Sequence, residues 1–249
     1  MLISPKEGTN AFCLVRPPGH HAGYVGATAE CGQHGFCFFN NVVLGAMHAR
    51  LHWGLKRFAV IDIDVHYGNG TAELLEHDED AFFASLHLKH NDFFPSDACI
   101  GDDVDTTNRV SIGLRPTQKK SKLSAPSLGP TGAAGFRQVL STRILPRCKR
   151  FQPDLIFISA GFDGLASDPV GGDLGLSVED YRWATEQIAK LATECCEGRL
   201  VSVLEGGYDI HGGSMSGLVQ AVSAHVGVLM GKRAPASIAG QGSDAGRQK

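Results

Sequence analysis

Short apolar runs alternate along this chain with longer amphipathic stretches, and polar residues crowd just after the runs. Ala11–Arg16 (AFCLVR) is stopped by Pro17-Pro18-Gly19, and Phe58–Asp62 (FAVID) is stopped near Gly68. Phe82–Leu88 and the weaker Arg109–Leu114 follow. Asp154–Ala160 (DLIFISA) is stopped by Gly161, and Leu200–Leu204 by Gly206-Gly207. Runs this short and this apolar predict strands buried on both faces of a parallel sheet.

The stretches between them read as helices. Asn41–Trp53 is one, and Thr131–Lys149 is another that Pro146 must end or kink. Val178, Tyr181, Ile188, Leu191 and Ala192 keep helical spacing behind the cap signal of Ser177 with Asp180, and Gly198 suits the far end. Ser214–Met230 is a fourth helical stretch. The alternation predicts an α/β domain with an open parallel sheet between two helical layers. It covers residues 1–230; Pro116–Pro130 reads as a surface loop, and Gly231–Lys249, small and polar, as a disordered tail.

Composition narrows the class. Of 249 residues, 43% are hydrophobic, enough for one proper core. The net charge of -3 lacks the basic surplus of a strong nucleic-acid binder, so direct nucleic-acid contact is not expected. No run approaches the ~20 apolar residues that cross a bilayer, so no membrane is expected either. Seven cysteines, an odd number without a CxxC pair, argue against a disulfide framework and for an intracellular, reducing setting.

Ligands of open α/β sheets bind beyond the carboxyl ends of the strands, where this chain keeps its polar residues. Asp62, Asp64 and His66 are two residues apart and share one side of extended chain. Two carboxylates and an imidazole there suit a divalent cation, or they cap nearby amides. Asp163 (Ser159–Gly164, SAGFDG) either completes that ligand set or caps the next turn. His20 and His21, behind the Pro-Pro-Gly turn, serve as general acid or base, as metal ligands, or as ordinary surface residues. The glycines Gly206 and Gly207 let backbone approach a ligand, and Tyr208 after them is an oxyanion donor or a packed aromatic. One aromatic from Gly35–Asn41 (GFCFFNN) and one from Phe93-Phe94-Pro95 could wall a narrow apolar tunnel for a linear aliphatic chain, although most phenylalanines are core.

Taken together and in order, RPPGHHA, GFCFFNN, DIDVHYGNGT, SLHL with FFP, SAGFDGLASDP and LEGGYD resemble the zinc-dependent histone deacetylase family, with its arginase/deacetylase fold. The wording is nearer to class II members and acetylpolyamine deacetylases than to class I. The resemblance implies zinc-dependent hydrolysis of acetyl-lysine, in histones or other proteins, to lysine and acetate. It implies zinc ligands at Asp64, His66 and Asp163; tandem histidines His20 and His21, with His21 the general base and acid; Asp62 orienting His20; and Tyr208 polarising the scissile carbonyl. Gly35, Phe36 and Phe94, with Gly206 and Gly207, would line the acyl-lysine channel. Backbone carbonyls of Asp62, Asp64 and His66, with Ser85 and Leu86, would hold a structural potassium ion. Partners would be acetylated proteins or peptides such as histone tails and a corepressor-type complex, in the nucleus, the cytoplasm or both.

Two departures accompany it. Tyr67 stands where the family commonly has a second histidine, and Asn69 replaces the class I aspartate behind His21. The family also has a segment before RPPGHHA, where this chain has fifteen residues, so the domain is expected to be N-terminally incomplete. Three rival readings are an acetylpolyamine deacetylase, a two-manganese arginase-like hydrolase, which DIDVHYG disfavours for want of a DxHxD pattern, and a non-catalytic binding protein.

Overall fold

The computed structural model describes residues 10–27, 32–90, 93–96, 103–117 and 129–231. Most of the expected loop, 118–128, and all of the tail after Gly231 lie outside them. Seven strands form one sheet: β1 (Asn10–Cys13), β2 (Phe58–Asp62), β3 (Ala81–Leu88), β4 (Val104–Asp105), β5 (Arg109–Leu114), β6 (Leu155–Ala160) and β7 (Leu200–Leu204), in the order β1-β7-β6-β2-β3-β5-β4. All pairings are parallel except β4 with β5. The central strands β2, β3 and β6 are buried at every position, which is why they read as continuous apolar runs.

Six α-helices cover the sheet among the described residues: α1 (Asn41–Trp53), α2 (Asn69–Leu74), α3 (Gly132–Val139), α4 (Leu145–Phe151), α5 (Val178–Cys196) and α6 (Gly217–Leu229). The apolar core falls into two clusters. The larger joins Ile61, Ile156, Ile158 and Phe162 to Phe136, Tyr181 and Ile188; the smaller joins Val60 and Phe157 to Val42, Ala46 and Ala72. Residues 60 and 61 thus enter opposite clusters, as the alternation of strand side chains requires.

Local chemistry accounts for the helix ends. The Asn40 side chain accepts from the Val43 amide and opens α1. Ser177 and Asp180 form a reciprocal capping box at α5. Several details depart from the sequence expectation. The first strand is shorter and ends at Cys13, where the Val15 amide turns back to donate to the Cys13 carbonyl at 3.1 Å and leaves the ladder. Near Pro146, where an end or a kink was expected, the helix does not end: a π-helical turn, Leu140–Ile144, carries α3 directly into α4, with Pro146 in the first turn of α4. Glu197, rather than Gly198, takes the C-cap position of α5, in the left-handed region at φ 55°. The last helix begins at Gly217, where Ser216 caps it, instead of at Ser214. Helix α2 and the edge strand β4 were not expected at all.

The register sets the site. Asp62 pairs with Ser85 on one side and Ser159 on the other, so the chain after β2 emerges beside the chain after β6. Cys13 pairs with Val203, so the segments leaving β1 and β7 also emerge together.

Candidate active site

Asp64, His66 and Asp163 converge: one donor atom from each lies within 4.8 Å of the others, and all three residues are buried. The His66 Nδ1 atom is 3.0 Å from Asp64 Oδ1 and 3.0 Å from Asp163 Oδ2. Asp163 Oδ2 nevertheless has no aligned hydrogen-bond partner, whereas Oδ1 accepts from the Val65 amide. Asp64 Oδ2 accepts from the Gly206 amide. A Cβ on Gly206 would stand 2.1 Å from Asp163 Oδ2, and one on Gly161 would stand 1.9 Å from Asp64 Oδ2. Glycine at both places lets the two carboxylates close on one point.

A buried cluster of this charge is unstable without a cation or a proton. Without metal, burial disfavours the His66 imidazolium, but Asp163 and Asp64 outweigh burial and push its pKa to about 10. Burial, with Asp64 beside it, pushes Asp163 to about 6. One orphaned carboxylate oxygen, one imidazole nitrogen aimed between carboxylates and a glycine cradle fit a divalent ion with nitrogen and oxygen ligands.

The tandem histidines have different surroundings. His20 Nδ1 meets Asp62 Oδ2 at 2.9 Å, and both are buried. Burial opposes its imidazolium, but Asp62, Asp64 and Glu205 together hold its pKa well above the ordinary value. His21 Nδ1 donates to the amide oxygen of Asn69 at 2.6 Å, which fixes the tautomer and leaves Nε2 as the basic nitrogen. Burial, reinforced by positive charge on His20 and His66, holds the pKa of His21 well below the ordinary value. The two rings are 4.0 Å apart, so a charged His20 favours a neutral His21.

A cavity of about 800 Å³ opens over the cluster, lined by His20, His21, Gly35, Phe36, His66, Phe94, Gly206 and Tyr208 among others. Phe94 stands edge-on to His21 at 4.8 Å. Phe36, 69% exposed, is 6.3 Å from the Tyr208 ring across the mouth. Burial, with Asp64 and Asp163, raises the Tyr208 phenol against the opposing pull of Arg16, so it keeps its proton at neutral pH. Gly207 does not line the cavity; it stands one peptide behind Tyr208, at φ +133°. Asp62, Ser85 and Leu86 are fully buried where β2 ends against the middle of β3, Asp62 opposite Ser85.

Two carboxylates hold the loops, and sequence reasoning gave them no role. Glu205 is buried and accepts from the Gly19 and His20 amides at 2.7 and 3.1 Å, while Ser159 Oγ donates to its other oxygen. Asp168 is buried and accepts from the Val170, Gly171, Tyr208 and Asp209 amides. Both sit inside quoted motifs, LEGGYD and SAGFDGLASDP, but backbone partners far along the chain leave no mark in a single sequence.

The family model described as "Histone deacetylase domain" matches residues 2–226, nearly the whole chain. The chain belongs to the histone deacetylase family. Among its relatives, type-2 histone deacetylase 2 of Dictyostelium discoideum is 40% identical over 236 residues, covering 92% of this chain and 13% of that protein. Histone deacetylase 14, chloroplastic, of Arabidopsis thaliana is 38% identical over 214 residues, covering 86% of this chain and 45% of that protein. The crystal structure of the HDA15 HD domain superposes with a TM-score of 0.69 at 30% identity, over 91% of this chain and 57% of that one. The match gives this chain the arginase/deacetylase fold of the family. The chain spans less than half the length of these two relatives. No helix among the described residues is long and apolar enough to cross a membrane.

Proposed function

We propose that this chain hydrolyses the acetyl amide of acetyl-lysine in proteins or peptides, using zinc held by Asp64, His66 and Asp163. The observation that carries the reading is the buried triad at the foot of a cavity that also presents His21 and Tyr208. When bound, zinc supplies Lewis acidity toward the amide carbonyl and the attacking water. His21, neutral and held by Asn69, takes the proton of that water as the oxygen–carbon bond forms. Tyr208 donates a hydrogen bond to the oxyanion that develops on the former carbonyl. The carbon–nitrogen bond then breaks, His21 delivers its proton to the leaving amine, and acetate and lysine result. His20 stays charged against Asp62 and keeps His21 neutral between turnovers. Phe36 and Phe94 flank the aliphatic stem of the substrate.

Among the described residues there is one candidate metal cluster, which favours a single-metal site over a two-manganese one. Potassium belongs to the same proposal, with main-chain carbonyls of Asp62, Asp64, His66, Ser85 and Leu86 as donors. So do histone tails as substrates, a corepressor-type complex as partner, and a nuclear or cytoplasmic setting. Acetate release from an acetyl-lysine peptide, with Asp64→Ala as control, tests the reading. Release by the parent and not by the variant is expected. No release from folded, zinc-loaded parent would overturn it in favour of a non-catalytic binding protein.

A further inference from the structure

Tyr208 leads into a largely exposed loop whose Asp209 accepts from the Gly217 and Leu218 amides at the start of α6. Ile210 and Met215 are 67% and 72% exposed, and Gly212 and Gly213 both have positive φ. Yet the peptides on either side of Tyr208 are tied. Arg16 Nη2 donates to the Gly207 carbonyl at 2.7 Å. Its guanidinium carbon stands 5.5 Å from the centre of the Tyr208 ring, within cation–π range. From the other side, one oxygen of Asp168 accepts from the Tyr208 amide at 2.7 Å and from the Asp209 amide at 3.1 Å. The second oxygen takes the Val170 and Gly171 amides at 2.8 and 3.2 Å, so the carboxylate is itself fixed. Gly207, at φ +133°, gives the turn between these ties a conformation that side chains rarely adopt.

We infer that Arg16 and Asp168 are positioning residues that clamp Tyr208 in the orientation its hydroxyl needs. Neither lines the cavity, so neither touches substrate; each acts through the tyrosine. Charge-assisted hydrogen bonds suit this task, being roughly twice as strong as neutral ones. A donor displaced by about 1 Å forfeits a large part of its effect on rate. The pairing of β1 with β7 makes the clamp possible, because it delivers Arg16 beside Gly207.

The inference rests on the hydrolytic reading for its kinetic test but has a second readout that does not. In the zinc-loaded chain, Arg16→Ala should lower kcat about tenfold, with KM and zinc content little changed. In a Tyr208→Phe background the same substitution should cost less than about twofold, since the group being positioned is gone. Arg16→Lys, which keeps charge without the fork, should recover part of the loss, and Asp168→Asn should behave like Arg16→Ala. In the metal-free chain labelled with 3-fluorotyrosine, the Tyr208 resonance, assigned through Tyr208→Phe, should be single in the parent. It should broaden or split in Arg16→Ala. Equal kcat losses with and without the Tyr208 hydroxyl, or an unchanged fluorine line, would overturn the clamp. If the parent releases no acetate, the hydrolytic reading fails while the fluorine spectrum still decides the clamp.

Discussion

His21 and Tyr208 reach the cavity from opposite ends of the chain, and each has one polar atom with a job that single substitutions can isolate. Removing the His21 imidazole should cut turnover by about 10²–10⁴-fold while zinc stays bound, because the residue is no ligand. Acetate release beside metal analysis of His21→Ala checks both halves, and retained turnover would sink the assignment. Tyr208→Phe should lower kcat by about 10²–10³-fold with little change in KM, as expected of a donor that acts on the developing oxyanion. The low pKa of His21, caused by burial and then by its charged neighbours, keeps the base form available at neutral pH. A bound divalent cation pushes the same way. The acid limb of the kcat/KM profile should therefore lie below pH ~6.5, and a limb above pH 7 would contradict His21 as the base.

Among the elements, α5 and α6 carry stability predictions that do not involve the site. Ser177→Ala removes one arm of the capping box of α5 and should cost about 1 kcal/mol in denaturant unfolding. His225 of α6 is buried between Thr185 Oγ1 and Ser202 Oγ, each at 2.7 Å, and burial lowers its pKa from 6.5 to about 4. Its folded pKa lies below its unfolded one, so its contribution is full above pH ~6.5. As pH falls toward 4 it is lost, by roughly 3 kcal/mol in all. Tm measured between pH 7 and 4 should fall less steeply in His225→Asn than in the parent. His87, lowered to about 3 by burial and Lys89, adds a slope of the same sign that the variant keeps. Equal slopes would show that the His225 site stays wet.

At the scale of the molecule, the two buried carboxylates of the triad make folding and metal binding one equilibrium. Zinc at about 100 times its Kd should add about 2.7 kcal/mol to stability. The rise in Tm should vanish in Asp64→Ala and reverse with a chelator. A parent Tm indifferent to zinc would mean that the cluster does not bind it.

How far the chain alone carried the reading differs from part to part. Apolar runs placed six of the seven strands, three of them to the residue, since a strand buried on both faces must be apolar throughout. The spacing of Asp62, Asp64 and His66 showed that these groups share a side, and motif order carried the family. Short elements with weak propensity were illegible. Gly-Asn-Gly-Thr is a poor helix, and α2 forms because the Thr71 amide donates to the His20 carbonyl in a buried setting. Two-residue β4 has no periodicity to read. The convergence of Asp163 on Asp64 and the adjacency of Arg16 to Gly207 follow from the pairing of β2 with β6 and of β1 with β7. Strand pairing is a contest among all alternative registers, settled by the whole core at once. Local sequence therefore determined which groups this protein offers, and tertiary structure alone decided which of them meet, with Glu205 and Asp168 holding the loops where they do.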